Sequence, residues 1–116
     1  MGCEHGVCGA CTVVLEGAPI RACLMFAVQA RIRELRTVEG LAAPGGDLTP
    51  LQEAFIRHHS VQCGFCRPGS LMLATAIPER DPDIAEVDLL EALSSSLGAR
   101  TSSPRCARRS PPEARR

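Results

Sequence analysis

The sequence predicts an α+β chain: a small β piece, a Gly- and Pro-rich break, then three or four short helices. Two changes of pattern carry that reading. The β-branched run "TVVL" and its neighbours give strand signals before residue 40, and beyond residue 48 apolar residues recur at helical spacing. A third feature marks the chemistry: seven cysteines, four of them between Cys3 and Cys23 in a Gly-rich beginning.

Thr12–Leu15 is the first strand by its β-branched content. Glu16-Gly17-Ala18-Pro19 supplies a turn, and "IRACLM" is expected to run back as a second strand. "RIRELRTV" is a weaker strand candidate because its alternation is imperfect. "GLAAPGGDL" then breaks the pattern and places a boundary near residues 40–47. "TPLQ" begins a helix, with Thr49 as N-cap, Pro50 in the first helical position and Gln52 three residues after the cap. Leu51, Ala54 and Phe55 form its apolar face, and the helix is expected to end near His58–His59. "SLMLATAI" is apolar all round, which predicts a buried helix stopped by Pro78. A last helix is expected to start at Asp81-Pro82 and to present Ile84, Val87, Leu90 and Leu93 on one face.

Aromatic residues make up only 3% of the chain, so the core is to be built from Ala, Val, Leu, Ile and Met. A core of that size commonly needs a staple, either disulfide or metal. The chain opens "MGCEHGVCGAC" with no apolar run, and its cysteine count is odd. A secreted disulfide scaffold is therefore a poor fit, and metal binding or thiol chemistry in a reducing cytoplasm is the expectation. No stretch has the length of a membrane span. Charge is uneven: residues 1–97 carry seven Arg against twelve acids, residues 98–116 six Arg against one. The basic tail has no aromatic residue and no apolar periodicity, so it reads as solvated and disordered, with no nucleic-acid role assigned.

Cys3, Cys8, Cys11 and Cys23 stand as C-x4-C-x2-C followed by a distant fourth, the spacing of plant-type [2Fe–2S] ferredoxins. Three thiolates on one tight loop surround one side of a small anionic cluster, and the fourth arrives from an adjacent strand. Gly6 and Gly9 let the backbone bend around the sulfurs and bring N–H groups to them. Cys63 and Cys66 in "VQCGFCRPG" form a second pair. A zinc site joining Cys8-x2-Cys11 to Cys63-x2-Cys66 is the main rival, but it leaves Cys3 and Cys23 unexplained. A thioredoxin-like dithiol lacks the surrounding order of strands. His5, His58 and His59 are read as loop or solvated residues, not ligands.

The segments "GCEHGVCGACTVVLEG", "CLMFAVQA", "TVEGLA", "LTPLQEAFIRHHSVQCGFCRPGSLMLA" and "IAEVDLLEALS" resemble the small iron–sulfur subunit of the molybdenum hydroxylases, the xanthine dehydrogenase and aldehyde oxidase group. The likeness is greatest to the small subunit of aerobic carbon monoxide dehydrogenase-type enzymes. It implies a partial β-grasp, ferredoxin-like [2Fe–2S] domain over residues 1–40. It also implies a helical [2Fe–2S]-binding domain over 41–97, with 98–116 as a divergent tail. By resemblance, Cys3, Cys8, Cys11 and Cys23 hold the plant-type cluster close to a flavin. Cys63 and Cys66 give two ligands of a second cluster, and Gln62 contacts the molybdopterin. The implied partners are a large molybdopterin-binding subunit and a medium FAD-binding subunit. Electrons released at molybdenum would pass singly through the clusters to the flavin, and this chain would carry no catalytic acid, base or nucleophile.

Two departures from the family pattern bear on this. The resemblance implies further strands and a helix ahead of the first ligand, whereas Met1 lies two residues before Cys3. In the ungapped alignment Gly98 and Arg100 stand where two ligands of the second cluster are expected, and neither can ligate iron. Cys106 remains in the tail without a C-x-C partner and reads as a free thiol. Beside the electron-transfer subunit stand two alternatives: a zinc-stabilised interaction module, and a truncated, non-functional remnant of the subunit.

Overall fold

The computed structural model describes residues 2–42, 45–60 and 63–96. Among them, three short strands, β1 (Thr12–Leu15), β2 (Ala18–Arg21) and β3 (Leu35–Arg36), precede three α-helices, α1 (Pro50–Arg57), α2 (Arg67–Arg80) and α3 (Glu86–Ser94). The α+β expectation holds.

The sheet is antiparallel in the order β2-β1-β3, with Thr12 opposite Arg21, Leu15 opposite Ala18 and Leu15 opposite Leu35. β1 and β2 are joined by Glu16-Gly17 alone, with φ of 49° and 78°. Two successive positive φ values give the hairpin turn whose twist matches the strands. Pro19, expected in the turn, lies in β2, which is an edge strand and tolerates the missing N–H.

The second strand is shorter than "IRACLM" predicts. The Ala22 amide bonds Cys11 O at 3.2 Å, the Met25 amide turns back to Ala22 O at 3.2 Å, and Ala22–Leu24 form a 3₁₀ turn. "RIRELRTV" yields strand only at Leu35–Arg36, because the preceding residues close turns (Arg33 N–H to Ala30 O, 3.1 Å) after a 3₁₀ helix at Ala27–Ala30.

α1 starts as predicted. Thr49 Oγ1 accepts from the Gln52 amide at 3.3 Å, Gln52 Oε1 accepts from the Thr49 amide at 2.8 Å, and His58 is the C-cap. α2 departs at both ends. It begins at Arg67 with Pro68 in its first turn, and it runs through Pro78 to Arg80. A proline so near the C-terminus removes one N–H from the ladder, and the Asp81 amide still bonds Ile77 O at 2.9 Å. α3 begins four residues later than expected. Asp81 to Ile84 close a separate turn (Ile84 N–H to Asp81 O, 3.3 Å), and Ala85 is the N-cap. Of its expected face, Leu93 is buried and Ile84 and Leu90 are half-buried, but Val87 is 67% exposed.

The core is shared by both parts. Val14 of β1, Leu41, Phe55 of α1, and Leu71, Met72 and Ala76 of α2 form one cluster, with Val38 and Leu51 packed against it. Met72 has no exposed surface. Burying each large apolar side chain contributes about 1.5–3 kcal/mol, so α2 is the central beam on which sheet, α1 and α3 meet.

Candidate metal centre

Residues 2–11 form a tight loop with Glu4 at φ 59°, Gly6 at φ 81° and Gly9 at φ 76°. The two glycines accept the left-handed backbone without a Cβ penalty. Gly6 lies against Leu24: a Cβ there would come within 2.6 Å of Leu Cδ1. That contact presses the loop onto the 3₁₀ turn that carries Cys23.

The bending turns peptide N–H groups inward. The Cys8 amide donates to Cys3 Sγ at 3.3 Å, and the backbone of His5 and Val7 also faces that sulfur. Such a nest favours the thiolate, and the Cys3 pKa falls from 9.0 to about 6, with the Cys8 amide as the largest cause. Cys23 moves the other way. Its thiol shares a hydrogen bond with Cys11, the largest cause, and burial and the charges of Cys11 and Cys3 add to it; the Gly6 backbone opposes the rise. Cys8 is buried, while Cys3, Cys11 and Cys23 are half-buried.

Cys3 meets Cys8, Cys23 meets Cys11, and Cys23 also feels the charge of Cys3, so the four sulfurs share one site. Among the described residues no three His, Cys, Asp or Glu side chains converge on a single ion. Four cysteine sulfurs are the donor set that a [2Fe–2S] cluster would take. The donor set and the inward N–H groups fit such a cluster.

Cys63 and Cys66 stand on a neighbouring loop. Cys63 is exposed and Cys66 caps α2, with its carbonyl accepting from the Ser70 amide (3.0 Å) and hydroxyl (3.1 Å). Phe65 between them reaches the first loop: its ring lies over Gly2, where a Cβ would meet ring carbons at 2.6 and 2.7 Å and Cys8 Sγ at 3.2 Å. Gln62, Gly98, Arg100 and Cys106 lie outside the described residues. His5 is exposed, with Nδ1 hydrogen-bonded to the Cys3 carbonyl. His58 is half-buried and His59 exposed.

Several supporting residues carry no sequence signature of their own. The Gly9 carbonyl accepts from the Thr12 amide (3.1 Å) and hydroxyl (2.6 Å). Arg21 donates to that hydroxyl, and its other arm donates to Ser95 O (3.1 Å) and Oγ (2.9 Å). Ser96, buried at the end of α3, sits against Gly9, and its hydroxyl has no hydrogen-bond partner among the described residues. Gly69 of α2 sits against the same glycine's carbonyl. Gly69 stands just ahead of the apolar run that predicts the helix and falls in the first turn of α2.

Comparison with known proteins bears on this geometry. A family model described as the [2Fe-2S] binding domain matches residues 37–108. The chain is 54% identical over 97 residues to the nicotine 6-hydroxylase small subunit of Paenarthrobacter nicotinovorans, covering 84% of this chain and 58% of that one. It is 43% identical over 95 residues to the aldehyde oxidoreductase iron-sulfur-binding subunit PaoA of Escherichia coli (strain K12), covering 78% and 41%. The crystal structure of quinoline 2-oxidoreductase from Pseudomonas putida 86 matches with a TM-score of 0.77 at 40% identity, over 93% of this chain and 72% of that chain. The chain thus spans about half the length of these curated relatives.

Proposed function

Because the chain belongs to the [2Fe-2S] binding domain family, among the small iron–sulfur subunits of the molybdenum hydroxylases, we propose that it is an electron-transfer subunit with a [2Fe–2S] cluster on Cys3, Cys8, Cys11 and Cys23. It works beside larger partner subunits, a molybdopterin-bearing one and an FAD-bearing one. When bound, the cluster supplies a one-electron couple. The observation that carries the reading is the gathering of four thiols on one loop and its adjoining turn, around inward-facing amides.

The chain's own residues do three things at this site. The nest at Cys3 holds a sulfur ready as thiolate near neutral pH, so a ligand is available without proton loss on binding. Gly6 and Leu24 keep the turn bearing Cys23 against the loop, so the four sulfurs stay together. The Cys8 amide at 3.3 Å offers a hydrogen bond to sulfur, which raises the potential of a thiolate-bound centre.

Cys63 and Cys66 are assigned two ligands of a second cluster on the pterin side, with Gln62 beside them. Gly98 and Arg100 at the other two expected positions leave that assignment short of thiolates. Among the described residues no helix is long and apolar enough to cross a membrane, and a cytoplasmic location accords with six free thiols among those residues.

The test is anaerobic reconstitution of the full chain, with iron, sulfide and zinc measured. About two irons and two sulfides per chain are expected if only the first site fills, and about four of each if both do. Zinc without sulfide overturns the reading in favour of a zinc-stabilised module. Failure to co-purify with co-expressed molybdopterin and FAD subunits favours the remnant.

A further inference from the structure

We propose that Arg21 is a positioning residue that ties the end of α3 to the cysteine loop and sets the reduction potential of a cluster held there. The inference rests on the cluster assignment to Cys3, Cys8, Cys11 and Cys23.

Arg21 occupies a junction. Its backbone pairs with Thr12, the residue after Cys11, and the next amide, that of Ala22, bonds Cys11 O at 3.2 Å. Arg21 therefore lies between two of the proposed ligands, one residue past the register of Cys11 and two before Cys23. Its guanidinium forks. One nitrogen donates to the Thr12 hydroxyl, which in turn donates a hydrogen bond to the Gly9 carbonyl at 2.6 Å. The other donates to Ser95 O at 3.1 Å and Ser95 Oγ at 2.9 Å. Ser95 is the C-cap of α3, where carbonyls are short of donors and the helix end is negative, so a cation is well placed.

The relay leads to the loop. Gly9 lies between Cys8 and Cys11, and its carbonyl is held by the Thr12 amide and hydroxyl together. Fixing that carbonyl fixes the Gly9–Ala10 peptide plane, and with it the course of the loop between Cys8, whose amide donates to Cys3 Sγ, and Cys11. Ser96 then covers Gly9 from the helical side: a Cβ at Gly9 would come within 2.5 Å of its Oγ. The same contacts anchor the Arg21 cation on Thr12, the residue next to Cys11 in the chain. Adding an electron makes a cluster more negative, so a nearby cation and well-aimed amides both favour the reduced state. Arg suits the task where Lys does not, because only a planar fork reaches two acceptors in fixed directions.

The test uses the full chain, reconstituted anaerobically, as wild type, Arg21→Gln and Arg21→Lys. Midpoint potential is read by EPR-monitored redox titration, iron content is read in parallel, and thermal melting separates lost stability from shifted potential. Arg21→Gln is expected to take up iron and to titrate at lower potential than wild type with an altered EPR line shape. Arg21→Lys is expected to fall between them, since it keeps the charge and loses the fork. A loaded Arg21→Gln chain with wild-type potential and line shape overturns the proposal. If Arg21→Gln does not fold, Arg21→Lys decides: a wild-type potential overturns, a lower one supports. A wild-type chain that takes up no iron and sulfide overturns the cluster assignment itself, and the role of Arg21 with it.

Discussion

Gly69, in the first turn of α2, lies directly on the carbonyl of Gly9: a Cβ at position 69 would stand 1.8 Å from that oxygen and 3.1 Å from Thr12 Oγ1. The contact is backbone to backbone, so no side chain can swing aside to relieve it. It joins the helix that organises the core to the loop that carries the cysteines.

Gly69→Ala is therefore expected to destabilise the chain by about 3 kcal/mol, the upper part of the range for overpacking, and to lower iron retention. Gly17→Ala is the contrast. Nothing lies within 4 Å of a Cβ there, so only its φ of 78° is penalised, by about 1–2 kcal/mol. Denaturant unfolding of both variants, with iron content measured on the same samples, checks the difference. Equal stability losses and equal iron would contradict it.

Met72→Ala removes the largest fully buried side chain among the described residues from the cluster of Val14, Leu41, Phe55, Leu71 and Ala76. A loss of about 2–5 kcal/mol is expected, from lost transfer energy and the cavity left behind. Because that core joins sheet to helices, unfolding should stay a single transition in circular dichroism rather than split in two.

Thr49→Ala should cost about 1 kcal/mol, because the hydroxyl that accepts from the Gln52 amide is lost while the Thr49 amide keeps its bond to Gln52 Oε1. Thr49→Ser should restore most of it. Chemical denaturation of the pair reads the effect.

In the metal-free, reduced chain the Cys3 thiolate should persist down to pH about 6. Its folded pKa is lowered, so its contribution to stability is fully present above the unfolded value near 9.0 and is lost as pH falls through about 6. Cys23 is raised, so its contribution has the opposite sign: present below the unfolded value and lost as pH rises through the folded one. The two oppose each other in global stability, which makes site-resolved alkylation the better measurement. Iodoacetamide labelling followed by peptide mass analysis should show Cys3 reacting at neutral pH ahead of Cys23. The reverse order would contradict the nest.

The local signals that sequence carried were those with a single physical cause. The Thr49 box, the strand at Thr12–Leu15 and the buried "SLMLATAI" helix were legible because capping, β-branching and uniform apolarity each act within a few residues. The C-x4-C-x2-C loop was legible because a cluster dictates ligand spacing. What escaped depended on partners far along the chain. Pro78 reads as a stop, yet α2 continues because only one ladder bond is lost near its end. Val87 reads as core alongside Leu93, yet α3 starts late and only Leu93 is buried while Val87 stays exposed. Arg21 and Ser95, 74 positions apart, meet only in the fold, and nothing in either local sequence announces the other.

The central claim, that Cys3, Cys8, Cys11 and Cys23 hold a [2Fe–2S] cluster, is tested most directly by EPR of the dithionite-reduced, anaerobically reconstituted chain in two ligand variants. The account predicts a one-electron iron–sulfur signal that is lost in Cys23→Ser and retained when Cys63 and Cys66 are both changed to Ser. A signal that survives Cys23→Ser and vanishes with the Cys63/Cys66 pair would contradict it.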